Sequence, residues 1–494
     1  MRNIIEYMYR NIESKDKIIA EYMEDDKSTI VHCLKSKDII RFSNYLNTIG
    51  YEGNFEKKIG ILMENCLGFV NAFYSVILNG NIVVGINTKV GLEELNTIIE
   101  KNKLNLIIED GNFTDLLKES KIKNIINYNE IKLEEYSSDF ELAIKHPNIE
   151  DVMIISYTSG TSGKFSKAVE TTFKNVSFVS EEYKKVYKLK ETTKCITVLP
   201  LWHNYAMFAC LTSSIAANSS VVIMKKWNLK LFLKINEILK PEIFPGSPYM
   251  YIDIINNVDK MHNLKNLKVC DSGGDSLPIE CIKRFEKITG AIITEGYGLT
   301  ETTSLTHFNY SAKERKIGSL GKCVSNTQCR ILDLEGNELP DNTWGLLWIK
   351  GPMVFKGYVG MELEDTTNLT ADGWFNTNDV VRKDKDGFYF YAGRFTDIQM
   401  LDKSNDQLRT LENQLYEFKG MKRVHVRTSI NKVGNFPYFD IVAELKEGYN
   451  IQDLYDYTNL NLKKYVINDI RVVEKLPVTG TGKIKRNKIN EILE

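Results

Sequence analysis

Residues 156–175 read SYTSGTSGKFSKAVETTFKN, and this stretch carries the strongest structural signal in the sequence. It follows the apolar run Val152–Ile155 and combines glycines and hydroxyl residues with two lysines, Lys164 and Lys167. Glycine-rich loops that follow strands often bind phosphates, because their backbone N–H groups can converge on an anion. The stretch therefore predicts a strand that leads into a phosphate-binding loop.

Short apolar runs alternate with amphipathic segments on both sides of this loop. We predict strands at Ile59–Met63, Ile82–Gly85, Leu104–Ile108, Val152–Ile155, Ile196–Leu199, Ser220–Met224, Glu242–Phe244, Leu267–Cys270 and Ala291–Thr294. Leu277–Thr289 is typical of a helix, with Pro278 in its first turn and Gly290 at its end. This alternation predicts an α/β protein whose largely parallel sheets are covered by helices.

The pattern changes after residue 320 and becomes richer in hairpins. Later strands are predicted at Gln328–Asp333, Leu346–Lys350, Gly387–Tyr391, Val424–Val426 and Phe439–Ala443. The last of these are separated by charged helical segments, which favours a second, smaller unit. We predict a large N-terminal domain at 1–393 that includes a β-rich subdomain, and a small mobile C-terminal α+β domain at 394–494.

Composition and charge exclude several classes of function. The 494 residues carry a formal net charge of -1, so nothing in the balance requires nucleic acid or an anionic membrane as a partner. The eight cysteines form no CxxC pair and the six histidines have no ligand spacing, which argues against a disulfide framework or a zinc site. The sequence has no export signal and no apolar run of about 18 residues. We expect a cytoplasmic protein without a membrane span.

Two common nucleotide-binding signatures do not fit. A Walker loop needs GxxxxGK followed by Ser or Thr, whereas Gly160 and Gly163 stand too close together and Phe165 follows the first lysine. The GTGK at 480–483 is followed by Ile484, and no GxGxxG follows the first strand. A flexible Ser/Thr/Gly connection is the alternative interpretation of the loop when it is considered alone.

Further motifs follow the loop in a fixed order along the chain. They are LPLWH (199–203), DSGGDSLP (271–278), EGYGLTE (295–301), DLEGNELP (333–340), GLLWIKGP (345–352), GWFNTNDV (373–380), GRFTD (393–397) and PVTGTGKIKR (477–486). Together with YTSGTSG, they resemble the acyl-adenylate-forming superfamily of acyl-CoA and aryl-CoA ligases, peptide-synthetase adenylation domains and luciferases. The resemblance extends from about residue 30 to the C-terminus.

The resemblance implies ATP-dependent activation of a carboxylic acid with Mg²⁺. It assigns the β- and γ-phosphates to the loop residues Thr158, Ser159, Gly160, Thr161, Ser162, Gly163 and Lys167, with Lys164 as the alternative lysine. It assigns adenine to Tyr297 and Gly298, the α-phosphate to Thr300, the metal to Glu301, the ribose to Asp379 and Arg394, and catalysis to Lys483. Each residue alone has an ordinary structural explanation. Chance resemblance of all of them in the family's order is improbable.

The identity of the acid depends on a short segment after the LPLW motif. Amino-acid-activating relatives carry an Asp here, whereas this chain has no carboxylate nearby. His203, Asn204 and Tyr205 resemble aryl-acid adenylating enzymes, in which the Asn can hydrogen-bond a hydroxyl next to the carboxylate. Gly273 and Gly274 are further candidates for acid binding. An aryl acid is favoured, and a short or medium acyl acid is the alternative.

The acceptor is expected to be a thiol, either of coenzyme A or of the phosphopantetheine on a separate carrier protein. His203 resembles a histidine that lies near the path of this thiol. Thr396 replaces the Asp or Lys usual at the hinge, and the segment around Lys403 and Asn405 lacks the expected glycine. Asn378 replaces a further glycine. Transfer to an amine and a non-catalytic nucleotide-binding relative therefore stay as alternatives.

Overall fold

The structure is a computed structural model. It describes residues 2–139, 145–158, 166–257, 264–310, 314–361, 368–395, 404–429, 438–478, 484 and 486–493. Within these residues the strands form four sheets of nine, seven, four and three strands. Searched over the same residues, no helix has both the length and the apolar character needed to cross a membrane.

The two large sheets are mostly parallel, as the sequence predicts. The nine-stranded sheet runs in the order 322–323, 307–308, 292–297, 269–272, 243–246, 194–197, 220–223, 18–22 and 32–35. The seven-stranded sheet runs in the order 357–358, 168–172, 152–157, 82–85, 58–62, 106–109 and 125–127. Antiparallel pairs are confined to the edges of both sheets. The inner strands of each sheet are therefore parallel, and a parallel sheet needs helices packed on its faces.

Helices cover these sheets and bury their apolar faces. The α-helices lie at 4–12, 36–48, 67–78, 92–102, 114–119, 173–186, 204–206, 213–217, 229–238, 248–256, 279–289, 404–415, 451–461 and 486–493, and a π-helical segment spans 207–212. The helix at Leu67–Leu78 is buried at almost every position and packs between strands and neighbouring helices. The prediction of helix-covered, largely parallel sheets is confirmed.

The predicted element bounds agree with the structure to within three residues for the nine strands of the parallel sheets. The helix predicted at Leu277–Thr289 begins instead at Ile279, because Pro278 is its N-cap residue with an extended ψ of 139°. Gly290 ends the helix in a left-handed conformation, with φ at 73°. Glycine is favoured there because it has no Cβ to clash.

The two smaller sheets contain the hairpins predicted after residue 320. The four-stranded antiparallel sheet consists of 328–332, 345–350, 375–383 and 389–394. The three-stranded sheet consists of 421–429, 438–445 and 466–472, and it packs on the helices at 404–415 and 451–461 around its own apolar core. The domain boundary at 393/394 stays a prediction, since 396–403 lie outside the described residues.

A carboxylic acid lies buried on an interior strand of the nine-stranded sheet, Val269–Ser272. Asp271 is fully buried, and its Oδ2 accepts hydrogen bonds from the hydroxyls of Tyr187 and Tyr205 at 2.6 and 2.9 Å. Burial raises the pKa of Asp271 to about 6 from its ordinary value of 3.8, because a charged carboxylate is poorly solvated there. The protonated form is thus favoured by folding.

We predict that Asp271→Asn removes a pH-dependent loss of stability. Since the folded pKa lies above the unfolded one, the stabilisation from Asp271 is fully present below about pH 4 and is lost as the pH rises through about 6. The free energy of unfolding of the asparagine variant, relative to that of the wild type, should therefore rise by up to about 3 kcal/mol between pH 4 and pH 7.5. Thermal unfolding of both proteins across this range measures the difference. A difference that does not change with pH would contradict the prediction.

Candidate active site

The loop predicted to bind phosphates connects two antiparallel strands of the seven-stranded sheet. Its stem is closed by Thr158, whose N–H donates to the carbonyl of Lys167 at 3.0 Å and whose Oγ1 accepts from the N–H of Lys167 at 3.1 Å. Residues 159–165, which include the predicted Ser159, Gly160, Thr161, Ser162, Gly163 and Lys164, lie outside the described residues. The strand-to-loop geometry expected from the sequence is present on both sides of that gap.

A short segment, Tyr297–Glu301, contacts the residues predicted for ribose and acid, and also Tyr358. It begins at the carboxyl end of a parallel strand, Ile292–Tyr297, where ligands of α/β sheets usually bind. The turn that follows is tight: a Cβ on Gly298 would lie 2.3 Å from the carbonyl carbon of Ser304. Gly298 is therefore required by close backbone packing, which positions the residues around it.

The predicted ribose residues meet at one end of this segment. Asp379 is only 3% exposed, and its carboxylate accepts a hydrogen bond from the Tyr297 hydroxyl. Its other oxygen lies 3.0 Å from Nε of Arg394, which is directly opposite in the neighbouring strand. The carboxylate raises the pKa of Arg394 by favouring the charged guanidinium. The adjacent Asn378 has a φ of 55°, the left-handed conformation expected for the glycine it replaces.

The predicted metal residue lies at the other end. Oε1 of Glu301 accepts a hydrogen bond from the Tyr358 hydroxyl at 2.9 Å. Nζ of Lys167 lies 4.8 Å from the centre of the Tyr358 ring, within the range of a cation–π contact. Tyr358 thus connects the exposed loop lysine to the carboxylate. The loop lysine and the carboxylate predicted to bind the metal therefore share Tyr358 as a neighbour.

The candidate acid-binding residues contact the middle of the segment. Nδ2 of Asn204 donates to the carbonyl oxygen of Thr300 at 3.3 Å. The side chain of Asn204 is buried, and its Oδ1 has no hydrogen-bond partner among the described residues. A buried amide oxygen without a partner is costly unless a ligand donates to it. Asn204 therefore holds a buried amide oxygen without a described partner next to Thr300, the residue predicted for the α-phosphate.

The other residues predicted on the side of the acid, His203, Gly273 and Gly274, lie close to Asn204 and its neighbour Tyr205. His203 begins the helix after the LPLW motif, and its Nδ1 accepts from the N–H of Tyr205 at 3.3 Å. The ring of Tyr205 lies against Gly273, where a Cβ would come within 2.7 Å of the ring. Gly274 has a φ of 86°, so it also favours glycine for conformational reasons. Gly273 thus allows the ring of Tyr205 to pack closely against the backbone.

The predicted catalytic lysine, Lys483, lies outside the described residues. The residues on either side of it, Val478 and Ile484, form an antiparallel bridge. Both line a cavity of about 290 Å³ that also contacts Glu295 and Gly393, the neighbours of the adenine and ribose residues. The ends of the lysine loop therefore line a cavity that reaches the chain near Tyr297 and beside Arg394, although Tyr297, Asp379 and Arg394 themselves do not line it. The hinge residue Thr396 and the segment around Lys403 are likewise not described.

Two residues of the site were missed by the sequence reading. Tyr358 lies in a two-residue strand, Gly357–Tyr358, which is too short to give a periodic signal. Thr377 accepts from Nη1 of Arg394 through its carbonyl at 2.9 Å, and its Oγ1 accepts from the N–H of Asp379 at 3.1 Å. It belongs to the GWFNTNDV motif, so its position could have been inferred from the motif but its contacts could not.

Comparison with known proteins identifies the family of this chain. The sequence profile of the family described as AMP-binding enzyme matches residues 36–359. A long-chain-fatty-acid–CoA ligase of Bacillus subtilis (strain 168) is 32% identical over 348 residues, which covers 69% of this chain and 62% of the relative. The chain thus belongs to the AMP-binding enzyme family. The alignment extends over slightly less than two thirds of that relative's length.

Other relatives match over nearly the whole chain. A 2-succinylbenzoate–CoA ligase of Oceanobacillus iheyensis is 26% identical over 483 residues, which covers 97% of both chains. The crystal structure of an anthranilate CoA ligase in complex with anthranoyl-AMP superimposes with a TM-score of 0.87 at 21% identity, over 99% of this chain and 97% of the other. At this identity the superposition establishes a shared fold.

Proposed function

We propose that this protein is an AMP-forming acid–thiol ligase that activates an aryl carboxylic acid with ATP. The observation that carries the proposal is the set of contacts made by Tyr297–Glu301. Within five residues, this segment contacts Asp379, Asn204 and Tyr358. Asp379 is the candidate partner for the ribose and Asn204 for the acid, and Tyr358 contacts Glu301, the candidate ligand of the metal bound to the phosphates. A nucleotide and an acid bound to them would meet at Thr300.

The first step joins the acid to the nucleotide. A carboxylate oxygen attacks the α-phosphorus of ATP, a new P–O bond forms, and the bond to the β-phosphate breaks to release pyrophosphate. The protein's contribution is to hold the two reactants together and to stabilise the charge that gathers on the α-phosphate. Thr300 and Lys483 are the groups proposed to face this charge. The loop ending at Lys167 would hold the departing phosphates.

The divalent metal has a suitable residue in Glu301. Mg²⁺ prefers oxygen ligands and is usually shared between one or two carboxylates and phosphate oxygens. The hydrogen bond from Tyr358 fixes the orientation of the Glu301 carboxylate. When bound, Mg²⁺ would neutralise phosphate charge during the first step.

The second step transfers the acyl group to a thiol. The sulfur attacks the acyl carbonyl, the C–O bond to the phosphate breaks, and AMP leaves. We propose coenzyme A as the acceptor, since the relatives reported above are named CoA ligases. The phosphopantetheine of a separate carrier protein, as in nonribosomal peptide synthesis, is the alternative acceptor. All eight cysteines are free thiols, which supports the cytoplasm as the compartment.

Asn204 is proposed to select the acid. Its buried Oδ1 can accept one hydrogen bond, and the contact of its Nδ2 with the Thr300 carbonyl supports a role for that oxygen beside the reacting carboxylate. A hydroxyl or amino group next to the carboxylate of an aromatic acid would supply the donor. This rests on the proposed ligase function and refines it to ortho-substituted aryl acids. A short or medium acyl acid has no such donor and is the alternative.

We predict that Asn204→Ala lowers the preference for ortho-substituted acids. The ratio of kcat/KM for 2-hydroxybenzoate over benzoate should fall about tenfold, because one buried hydrogen bond is worth about 1 kcal/mol or slightly more. Benzoate is the matched control, since it lacks the donor and should be affected less. Pyrophosphate exchange into ATP, measured across aryl, acyl and amino acids, gives these values. An unchanged ratio would contradict the role of Asn204 and leave the ligase proposal standing.

The same exchange experiment tests the ligase function itself. Exchange that depends on an aryl acid, followed by a thioester of the expected mass with coenzyme A, would support it. A product only with a phosphopantetheinylated carrier or an amine would identify the alternative acceptors. Nucleotide binding without exchange for any acid would favour a non-catalytic binding protein.

A further inference from the structure

A cluster of one histidine and two cysteines lies behind the nucleotide site. Nε2 of His307 is 3.5 Å from Sγ of Cys323 and 3.6 Å from Sγ of Cys329, and the two sulfurs are 3.2 Å apart. His307 is fully buried, whereas both cysteines are partly exposed. Among the described residues, these three form a group whose ligand atoms all lie within 4.8 Å of one another.

We propose that His307, Cys323 and Cys329 bind a divalent metal ion of borderline softness, with Zn²⁺ as the best fit. Tetrahedral zinc with Zn–S near 2.3 Å and Zn–N near 2.0 Å separates sulfur from nitrogen by about 3.6 Å and sulfur from sulfur by about 3.8 Å. The two sulfur–nitrogen distances already agree with this geometry. Only the sulfur pair must separate, by about half an ångström.

The hydrogen bonds of His307 leave the correct nitrogen available for a metal. The Thr306 hydroxyl donates to the carbonyl oxygen of Tyr297 at 3.1 Å, because a carbonyl can only accept. The same hydroxyl lies 2.9 Å from Nδ1 of His307, so it accepts the Nδ1 proton. In the neutral ring, Nε2 then carries the lone pair, and it points at the two sulfurs. Metal-binding histidines are usually fixed by such a second hydrogen bond.

Tyr389 closes the fourth side of the cluster. Its phenol lies near both thiols, and its ring lies edge-on to the His307 ring at 4.4 Å between centres. The phenol oxygen, or a water in its place, can complete a tetrahedron. Two cysteines and one histidine with a water in the fourth position form the ligand set of catalytic zinc sites, and a fourth protein ligand such as the phenol would make the site a closed, structural one. The partly exposed cysteines provide a path for the ion.

The location gives the metal a structural role. His307 and Cys323 lie in the edge strands of the nine-stranded sheet, whereas Cys329 and Tyr389 lie in the four-stranded sheet. A metal would therefore join the sheet that carries Tyr297 to the sheet that carries Asp379. The ring of His307 also packs against Tyr297, at 5.6 Å between centres. The ion would hold the two halves of the proposed ribose site together.

Zinc binding by the reduced, full-length protein tests this proposal. The protein is stripped with a chelator, its eight thiols are verified by titration, and Zn²⁺ is added against a chromophoric chelator. We expect one Zn²⁺ per chain and a higher Tm with zinc than without it. Co²⁺ in place of zinc should give a thiolate-to-cobalt absorption band.

Variants separate this site from incidental binding. Cys323→Ser should weaken Zn²⁺ binding at least about 100-fold and remove the rise in Tm, since loss of outer hydrogen-bond partners alone costs about 10- to 100-fold. Thr306→Val, which keeps the shape of the side chain, should weaken binding about 10- to 100-fold. Cys66→Ser is the control and should change the affinity less than about twofold, because serine can replace this helix-capping thiol.

Two results would overturn the proposal. The first is a reduced wild-type protein with eight titratable thiols that binds no Zn²⁺. The second is zinc binding that Cys323→Ser and Thr306→Val leave unchanged. If Cys323→Ser fails to fold by circular dichroism, Thr306→Val still decides the question, because it leaves both thiols in place.

Discussion

Replacing Lys483 by alanine is expected to lower the rate of acyl-adenylate formation about 100- to 1,000-fold while ATP still binds. The reason is electrostatic, since the lysine is proposed to stabilise charge that develops on the α-phosphate only as the carboxylate attacks. Val478 and Ile484, which flank the lysine loop, line the cleft that also contacts Gly393 beside Arg394. Pyrophosphate exchange measures the loss, and equilibrium binding of ATP measures what remains.

The chain offers a matched control for this experiment. Lys488 lies five residues further on, is exposed, and pairs with Glu491 in the last helix. Lys488→Ala should leave the exchange rate within about twofold, because exposed pairs contribute little. Thioester formation from a synthetic acyl-AMP should survive in Lys483→Ala, since that reaction bypasses the first step. Normal adenylate formation in Lys483→Ala would refute the assigned role.

The second large effect is expected at Asp379. Asp379→Asn should weaken ATP and AMP binding about 10- to 100-fold, because it removes the charge that holds Arg394 and changes the partner of the Tyr297 hydroxyl. The two groups would then lose their fixed positions around the ribose. Nucleotide titration by calorimetry measures the change.

Asp386 provides the comparison for Asp379. It lies in the turn between the same two strands and pairs with Lys316 at 3.1 Å on the surface. Asp386→Asn should alter nucleotide affinity less than about twofold. If Asp379→Asn bound nucleotide as tightly as Asp386→Asn, the ribose assignment would be wrong.

The sequence predicted most of the α/β core because its signals are local. Ile82–Gly85 was predicted with the observed bounds, and Gly290 was correctly placed at a helix end. The first 35 residues were not assigned, although strand Ile18–Tyr22 pairs in parallel with Ser220–Ile223. Such pairing joins segments 200 residues apart, and no short pattern in either segment specifies it.

In the candidate site, too, some features had a local signal in the sequence and others depended on how distant segments pack. Motif order predicted Tyr297, Glu301 and Asp379 as site residues, because their proposed roles are attached to short recognisable stretches. The contact of Tyr358 with Glu301 depends on how a short edge strand packs, so the sequence carried no signal for it. The sequence reading also argued against a zinc site. His307 and Cys323 are 16 residues apart, and only the strand register places them opposite each other.

The central claim is that the acid is activated by attack of its own oxygen on the α-phosphorus. The most direct test uses an aryl acid labelled with ¹⁸O in both carboxylate positions, together with ATP, Mg²⁺ and coenzyme A. Mass spectrometry of the products should find one ¹⁸O in AMP, none in pyrophosphate, and one in the thioester. Formation of ADP, or of AMP without the label, would contradict the account.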